Sequence, residues 1–82
     1  MTHRPINIIA AEIKKDWTKD GKKVYFGAVP YLEAMFSLRD ITENYGEDSA
    51  ESVVAYFLSN AAIWKGEVAR SIKKELNLMI KR

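Results

Sequence analysis

The 82-residue sequence predicts an all-α fold, a compact bundle of about four helices joined by one or two short turns. Apolar residues recur at steps of three and four positions, as they do along one face of a helix. Glycine, proline and aspartate, which favour turns, separate the periodic stretches. Apolar residues make up 48% of the chain and charged residues 29%, so a core can form. We therefore expect residues 1–82 to be a single small helical domain.

The first helix is predicted over residues 5–17. Pro5 suits the first turn of a helix, where its missing N–H would have no partner. The apolar stripe that follows consists of Ile6, Ile9, Ala10, Ile13 and Trp17. An Asp-Gly pair then ends the helix, and Asp-Gly is also common at hairpin tips. Residues 24–29 are therefore expected to form an extended connection over the core, with a minor hairpin near residues 18–27 as the alternative.

The second and third helices are predicted over residues 30–38 and 49–61. Pro30 repeats the first-turn pattern, and a short turn closed by glycine is expected at residues 41–45. Asp48 and Glu51 have the spacing of a capping box at the start of the third helix. Because residues 53–64 carry no charge, the third helix is expected to be the most buried element.

The fourth helix is predicted over residues 63–81. Its apolar stripe consists of Trp64, Val68, Ile72, Leu76, Met79 and Ile80. Packing these faces together predicts a core made of Ile13, Phe36, Val53, Phe57, Trp64, Ile72 and Leu76.

The residue types that carry most enzyme chemistry are scarce. Cysteine is absent, which excludes a thiol nucleophile and a thiolate zinc site. His3 is the only histidine and lies near the N-terminus, so the serines have no histidine base in the predicted helices. No phosphate-binding glycine motif is present. We therefore expect no catalytic residue, no metal site and no cofactor, and a protein that is not an enzyme.

The same composition bears on location. The longest run without a charged residue spans 53–64, well below the ~18 residues that a membrane span requires. A small domain without cysteine suits a reducing compartment. We therefore expect a soluble cytoplasmic protein that does not interact with a membrane.

Charge is unevenly distributed, which leaves a nucleic-acid alternative open. Residues 1–23 carry a formal charge of +3, residues 24–60 carry −5, and residues 61–82 carry +4. One explanation of this pattern is that the basic helices pack beside the acidic middle segment. The alternative is that the two basic ends of the chain meet and form one patch for an anionic partner. In the second case the protein is a nucleic-acid-binding accessory factor, with a phosphate-binding face on the first and last helices. That face consists of Lys14, Lys15, Arg70, Lys73 and Lys74.

Aromatic residues favour a protein partner instead. Several lie in or beside the irregular segment before the second helix, where they need not all be buried. Exposed aromatic and arginine side chains are typical of the residues that dominate binding energy in protein interfaces. We expect a protein partner of unknown identity or, alternatively, a homodimer. The predicted contact residues are Tyr25, Phe26, Tyr31 and Arg39, with Glu47 and Asp48 at the acidic rim.

Several segments of the chain also resemble a known group of sequences. These are YFGAVPYLEAM at 25–35, YGEDSA at 45–50, YFLSNA at 56–61, WKG at 64–66 and IKKEL at 72–76. Together they resemble small uncharacterised proteins encoded by bacteriophages and bacterial mobile elements, over most of the chain from about residue 9 to residue 76. The resemblance implies a compact domain in the cytoplasm of a bacterial host and names no catalytic residue. By analogy, it implies binding, modulation or inhibition of a host or defence protein.

Overall fold

Four helices account for 56% of residues 4–80, the part of the chain that this computed structural model describes. They are α1 (Ile6–Trp17), α2 (Val29–Met35), α3 (Ala50–Ser59) and α4 (Glu67–Ile80). α1 and α3 each pack against both α2 and α4, so the helices surround one core. The predicted helical bundle is confirmed. None of the described helices is long and apolar enough to cross a membrane.

The start of α1 is fixed by contacts on both sides. The carbonyl of Pro5 accepts hydrogen bonds from the N–H groups of Ile8 and Ile9, both at 3.1 Å, which begins the helical ladder. The N–H of Ile6, which has no partner within the helix, donates to the carbonyl of Arg39 at 2.9 Å. This bond holds the start of α1 beside the segment that follows α2.

The small sheet lies elsewhere than predicted. Instead of a hairpin near residues 18–27, two short strands form later in the chain, β1 (Asn44–Tyr45) and β2 (Asp48–Ser49), with Tyr45 opposite Asp48. Gly46, at φ 62°, supplies the positive φ that the tight turn between them requires. The residues after Gly21 do not form a hairpin because residues 14–17, with which they would have to pair, remain in α1.

Two helix starts also differ from the predictions. Ser49, rather than Asp48, caps α3: its Oγ accepts a hydrogen bond from the N–H of Ser52 at 3.1 Å. Asp48 is instead paired in β2. α4 begins at Glu67, four residues later than predicted, after Gly66 with φ 117°. The predicted helix end at residue 81 lies outside the described residues.

Side chains from all four helices fill the core. Most of the predicted core residues are buried, but Phe36 is not: 39% of its surface is exposed. α2 ends at Met35, and the core positions at this point are taken by Met35 and Leu38. On α4 the buried stripe is Ala69, Ile72, Leu76 and Met79. Val68 is exposed because it falls one position off that stripe.

Candidate functional site

A tight turn ahead of α2 displays two of the predicted contact residues. The carbonyl of Tyr25 accepts a hydrogen bond from the N–H of Ala28 at 2.8 Å, and Ala28 is fully buried. This anchor leaves the residues just before it at the surface. The Tyr25 and Phe26 rings lie 4.8 Å apart between centroids, and Phe26 has 79% of its surface exposed. The turn thus presents an aromatic pair to solvent.

Gly27 allows this turn to lie against the end of α3. A Cβ atom at this position would come within 2.7 Å of the Tyr25 ring and 2.8 Å of Asn60 Oδ1. A larger residue here would have to displace the Tyr25 ring and the Asn60 side chain, whereas glycine leaves both in place. Beside it, Tyr25 and Ile63 line a shallow cavity of about 360 Å³. Ile63 has 65% of its surface exposed and extends the apolar area beyond α3.

A second aromatic pair continues the same surface along α3. Tyr31, in the first turn of α2, contacts Tyr56 of α3 with 5.4 Å between ring centroids. Tyr56 is 52% exposed and lies one helical turn before Asn60, whose Nδ2 donates to its carbonyl at 2.9 Å. We refer to this area as the aromatic surface. It consists of Tyr25, Phe26, Tyr31, Tyr56 and Ile63.

The aromatic surface contains residues that the sequence reasoning missed, Tyr56 and Ile63. Tyr56 could have been found, because it lies off the apolar stripe of α3 and so had to face outward. Ile63 lies in the turn between α3 and α4, whereas the predicted fourth helix began at this residue. Tyr31 is only half buried and packs against the core as well as against Tyr56. Of the three predicted aromatic contact residues, Phe26 has the largest exposed fraction of its surface.

The remaining predicted contact residues lie outside the aromatic surface. Glu47 and Asp48 are exposed in the hairpin that leads into the first turn of this helix. The aromatic surface lies at its last turn, and ten helical residues extend about 15 Å. Arg39 follows α2, where its backbone N–H donates to Glu43 Oε1 at 2.8 Å. The structure therefore does not bring these three residues together with the Tyr25–Phe26 pair.

The predicted basic face is divided among several surfaces. Lys14 lines a groove between α1 and α2, whereas Lys15 lines a different groove between α1 and α4. On the α4 side that second groove is lined by Glu67, Val68, Ser71 and Ile72, and none of the predicted α4 cations takes part. Arg70 and Lys74 are exposed on α4.

Lys73 is held by the protein itself. Its Nζ donates to the carbonyl of Trp64 at 2.6 Å and lies 5.8 Å from the centroid of that indole. Partial burial, helped by the positive charge of Lys65, lowers the pKa of Lys73. This ammonium group already has a backbone partner and an aromatic contact, so it is less available to a phosphate than Arg70 or Lys74.

A cluster of three aromatic rings and a hydrogen-bonded aspartate supports the core. Trp17 and Trp64 are stacked with centroids 5.5 Å apart, and the buried Phe57 meets both rings edge-on. Trp64 Nε1 donates to Asp16 Oδ2 at 2.9 Å. This hydrogen bond, with a second from Lys19 at 3.0 Å, lowers the pKa of Asp16. The cluster joins α1 to the turn before α4.

Groups suited to metal binding do not assemble in the described part of the chain. Between residues 4 and 80, no three or more histidine or acidic side chains lie together as a metal site would require. His3, the one histidine in the sequence, lies outside the described residues.

Comparison with known proteins yields no match: no family model fits the chain, and neither the curated proteins nor the solved structures include a significant relative. The resemblance to phage and mobile-element proteins therefore stays an expectation from the sequence.

Proposed function

We propose that this protein is a non-enzymatic interaction module that binds another protein through the aromatic surface. The observation that carries the proposal is that two aromatic pairs, Tyr25–Phe26 and Tyr31–Tyr56, lie near the start of α2 and the end of α3, with all of their rings except Tyr31 exposed. A soluble domain rarely keeps contiguous apolar side chains at its surface without a binding role. Aromatic side chains also supply a large contact area with few rotatable bonds, which is why they dominate binding energy in interfaces.

The local architecture supports a preformed contact surface. The turn at residues 25–28 is held by backbone hydrogen bonds and by the buried Ala28, and Gly27 lets it lie against α3. Tyr31 and Tyr56 support each other across the two helices. A partner that docks here meets side chains whose positions are already restricted, so binding costs less conformational entropy.

The proposal extends to the biological setting that the sequence resemblance implies. In this setting, the protein acts in the cytoplasm of a bacterial host and modulates or inhibits a host or defence protein. Its small size suits this role, because occupying a surface on a larger partner requires a stable contact area and no catalytic machinery. The support for this setting is analogy with small phage and mobile-element proteins.

Affinity capture with matched variants tests the proposal. The immobilised protein is incubated with nuclease-treated bacterial extract, and retained proteins are quantified by mass spectrometry. The informative variant is Phe26→Ser/Tyr56→Ser, and the control is Leu78→Ser, which alters an exposed apolar residue on α4. We expect the wild type and the control to retain the same protein and the double variant to lose it. Equal retention by all three folded proteins would refute the proposal.

A nucleic-acid role is the competing proposal from the same sequence. It requires the basic residues to act together, yet Lys14 and Lys15 line separate grooves and Lys73 is engaged by Trp64. Titration with mixed DNA and RNA at two salt concentrations separates the two roles, since phosphate binding weakens steeply with salt. Salt-sensitive binding that Arg70→Ala and Lys74→Ala weaken would favour the nucleic-acid role.

A further inference from the structure

The groove between α1 and α2 combines an apolar floor with a basic rim. Its volume is about 360 Å³, and the apolar side chains that line it, which we call its floor, are Val24, Val29, Leu32 and Phe36. The exposed ring of Phe36, which the sequence had placed in the core, lies here. The polar side chains that line it, which we call its rim, are Lys14, Thr18, Lys22 and Lys23, with Glu33 as the one acidic residue among the described residues that line the groove. We refer to this feature as the basic groove.

The lysines of the basic groove are available to a partner. Lys14, Lys22 and Lys23 are all exposed, and none of them forms an ion pair with a described residue. Three ammonium groups against one carboxylate give the rim an excess of positive charge. An occupant that fits must therefore place an apolar side chain on the floor and carboxylates beside it.

The chain itself carries a segment of that chemistry. The hairpin of β1 and β2 presents Tyr45, with 46% of its surface exposed, beside Glu47 and Asp48. Tyr45 and Asp48 are directly opposite each other in the ladder, so both side chains project from the same face. An aromatic ring flanked by carboxylates matches an apolar floor flanked by ammonium groups.

We propose that the acidic hairpin of one copy of this protein docks into the basic groove of a second copy. Within one copy the two features stay apart: the N–H of Ala50 donates to the carbonyl of Glu43 at 2.8 Å, which fastens the hairpin to α3. The residues that line the basic groove include none from the hairpin.

The contact joins two different surfaces, so it is head-to-tail. Each bound copy still offers a free groove at one end and a free hairpin at the other, and association continues into rings or open chains. A hairpin tip buries little area, which places this contact among weak, concentration-dependent interactions. Its dependence on opposite charges makes it sensitive to ionic strength.

Charge reversal on each side provides a direct test by sedimentation velocity over a range of protein concentrations. Lys22→Glu/Lys23→Glu gives a copy with an acidic groove and an acidic hairpin. Glu47→Lys/Asp48→Lys gives a copy with a basic groove and a basic hairpin. Each variant alone should stay monomeric, and an equimolar mixture should associate, because opposite charges meet again at both contacts. Arg70→Glu/Lys74→Glu is the control, with the same change of net charge on α4.

The wild type and the control should associate in about 0.1 M salt and dissociate in about 1 M salt. Tyr45→Ser should weaken the association at least several-fold without changing the helical circular dichroism spectrum. The proposal is overturned by a wild type that stays monomeric at every concentration, or by a mixture of folded variants that does not associate. Self-association that survives both charge reversals would also overturn it, since the contact would then lie elsewhere.

Discussion

Removing the Phe57 side chain should cost the domain a large share of its stability. Phe57 is fully buried and meets both Trp17 and Trp64 edge-on. Phe57→Ala removes the transfer free energy of the ring and leaves a cavity, a combined cost of about 3–5 kcal/mol. At ~0.05–0.15 kcal/mol per residue, a chain of this length has a total stability of ~4–12 kcal/mol. The substitution therefore removes between a quarter and all of it.

The chain offers a matched control for this substitution. Phe36→Ala deletes the same atoms from a side chain that is 39% exposed, so it loses part of a burial energy and leaves no enclosed cavity. Its expected cost is ~1–2 kcal/mol. Urea unfolding followed by far-ultraviolet circular dichroism and by tryptophan fluorescence measures both variants.

The two variants should differ in melting temperature as well as in urea midpoint. For a domain of this size each kcal/mol shifts the melting temperature by about 4–8 °C, so Phe57→Ala should lower it by at least ~12 °C. Equal losses for the two variants, or a larger loss for Phe36→Ala, would refute the assignment of Phe57 to the core and of Phe36 to the surface.

Three further outcomes follow from individual contacts. Asp16→Ala should destabilise the fold by about 1–3 kcal/mol, because the indole N–H of Trp64 loses its acceptor, while Asp16→Asn should cost less; thermal unfolding of both variants measures this. Since the pKa of Asp16 is lowered in the folded state, its charged form stabilises the wild type above the ordinary aspartate pKa, and this contribution is lost as the pH falls through the lowered value. Between about pH 6 and pH 2, the urea midpoint should therefore fall less steeply for Asp16→Asn than for the wild type. If the two plots of urea midpoint against pH were parallel, the stabilising role of the Asp16 charge would be contradicted. Ser49→Ala should cost ~0.5–2 kcal/mol through loss of the α3 cap, whereas Asp48→Ala should cost less, and equal losses in urea unfolding would contradict the capping geometry.

The helices could be predicted because burial of an apolar stripe largely determines helix formation in a small domain. The stripe of α1 from Ile6 to Trp17 is buried as predicted. Helix ends depend on contacts that local sequence does not encode. Phe36 follows the last residue of α2, and its side chain faces a groove because Met35 and Leu38 fill the core instead.

The hairpin shows the same limit for turns. The pair Asp20 and Gly21 and the pair Gly46 and Glu47 are both compatible with a tight turn, and local sequence alone favours the first. A hairpin also needs a free partner strand, and the residues up to Trp17 are held in α1. The residues around Gly46 have no such competing element, so the ladder forms there, with Tyr45 paired to Asp48.

The candidate site was predictable only where its residues are neighbours in sequence. Tyr25 and Phe26 could be selected together because they share one turn. Tyr56 joins them through its contact with Tyr31 across two helices, which becomes visible only once α2 and α3 are packed. Arg39 was selected for its chemistry beside the aromatic residues in sequence, but it lies beyond the far end of α2, near the start of α1.

Site-specific photo-crosslinking in bacterial cells tests most directly whether the aromatic surface binds another protein. A photoreactive phenylalanine analogue replaces Phe26 in one variant and Leu78 in the control, two exposed positions on different parts of the surface. We predict that irradiation yields a discrete covalent adduct with another protein from position 26 and none from position 78. The adduct should disappear when Tyr56→Ser is added. No adduct from position 26, or the same adducts from both positions, would contradict the account.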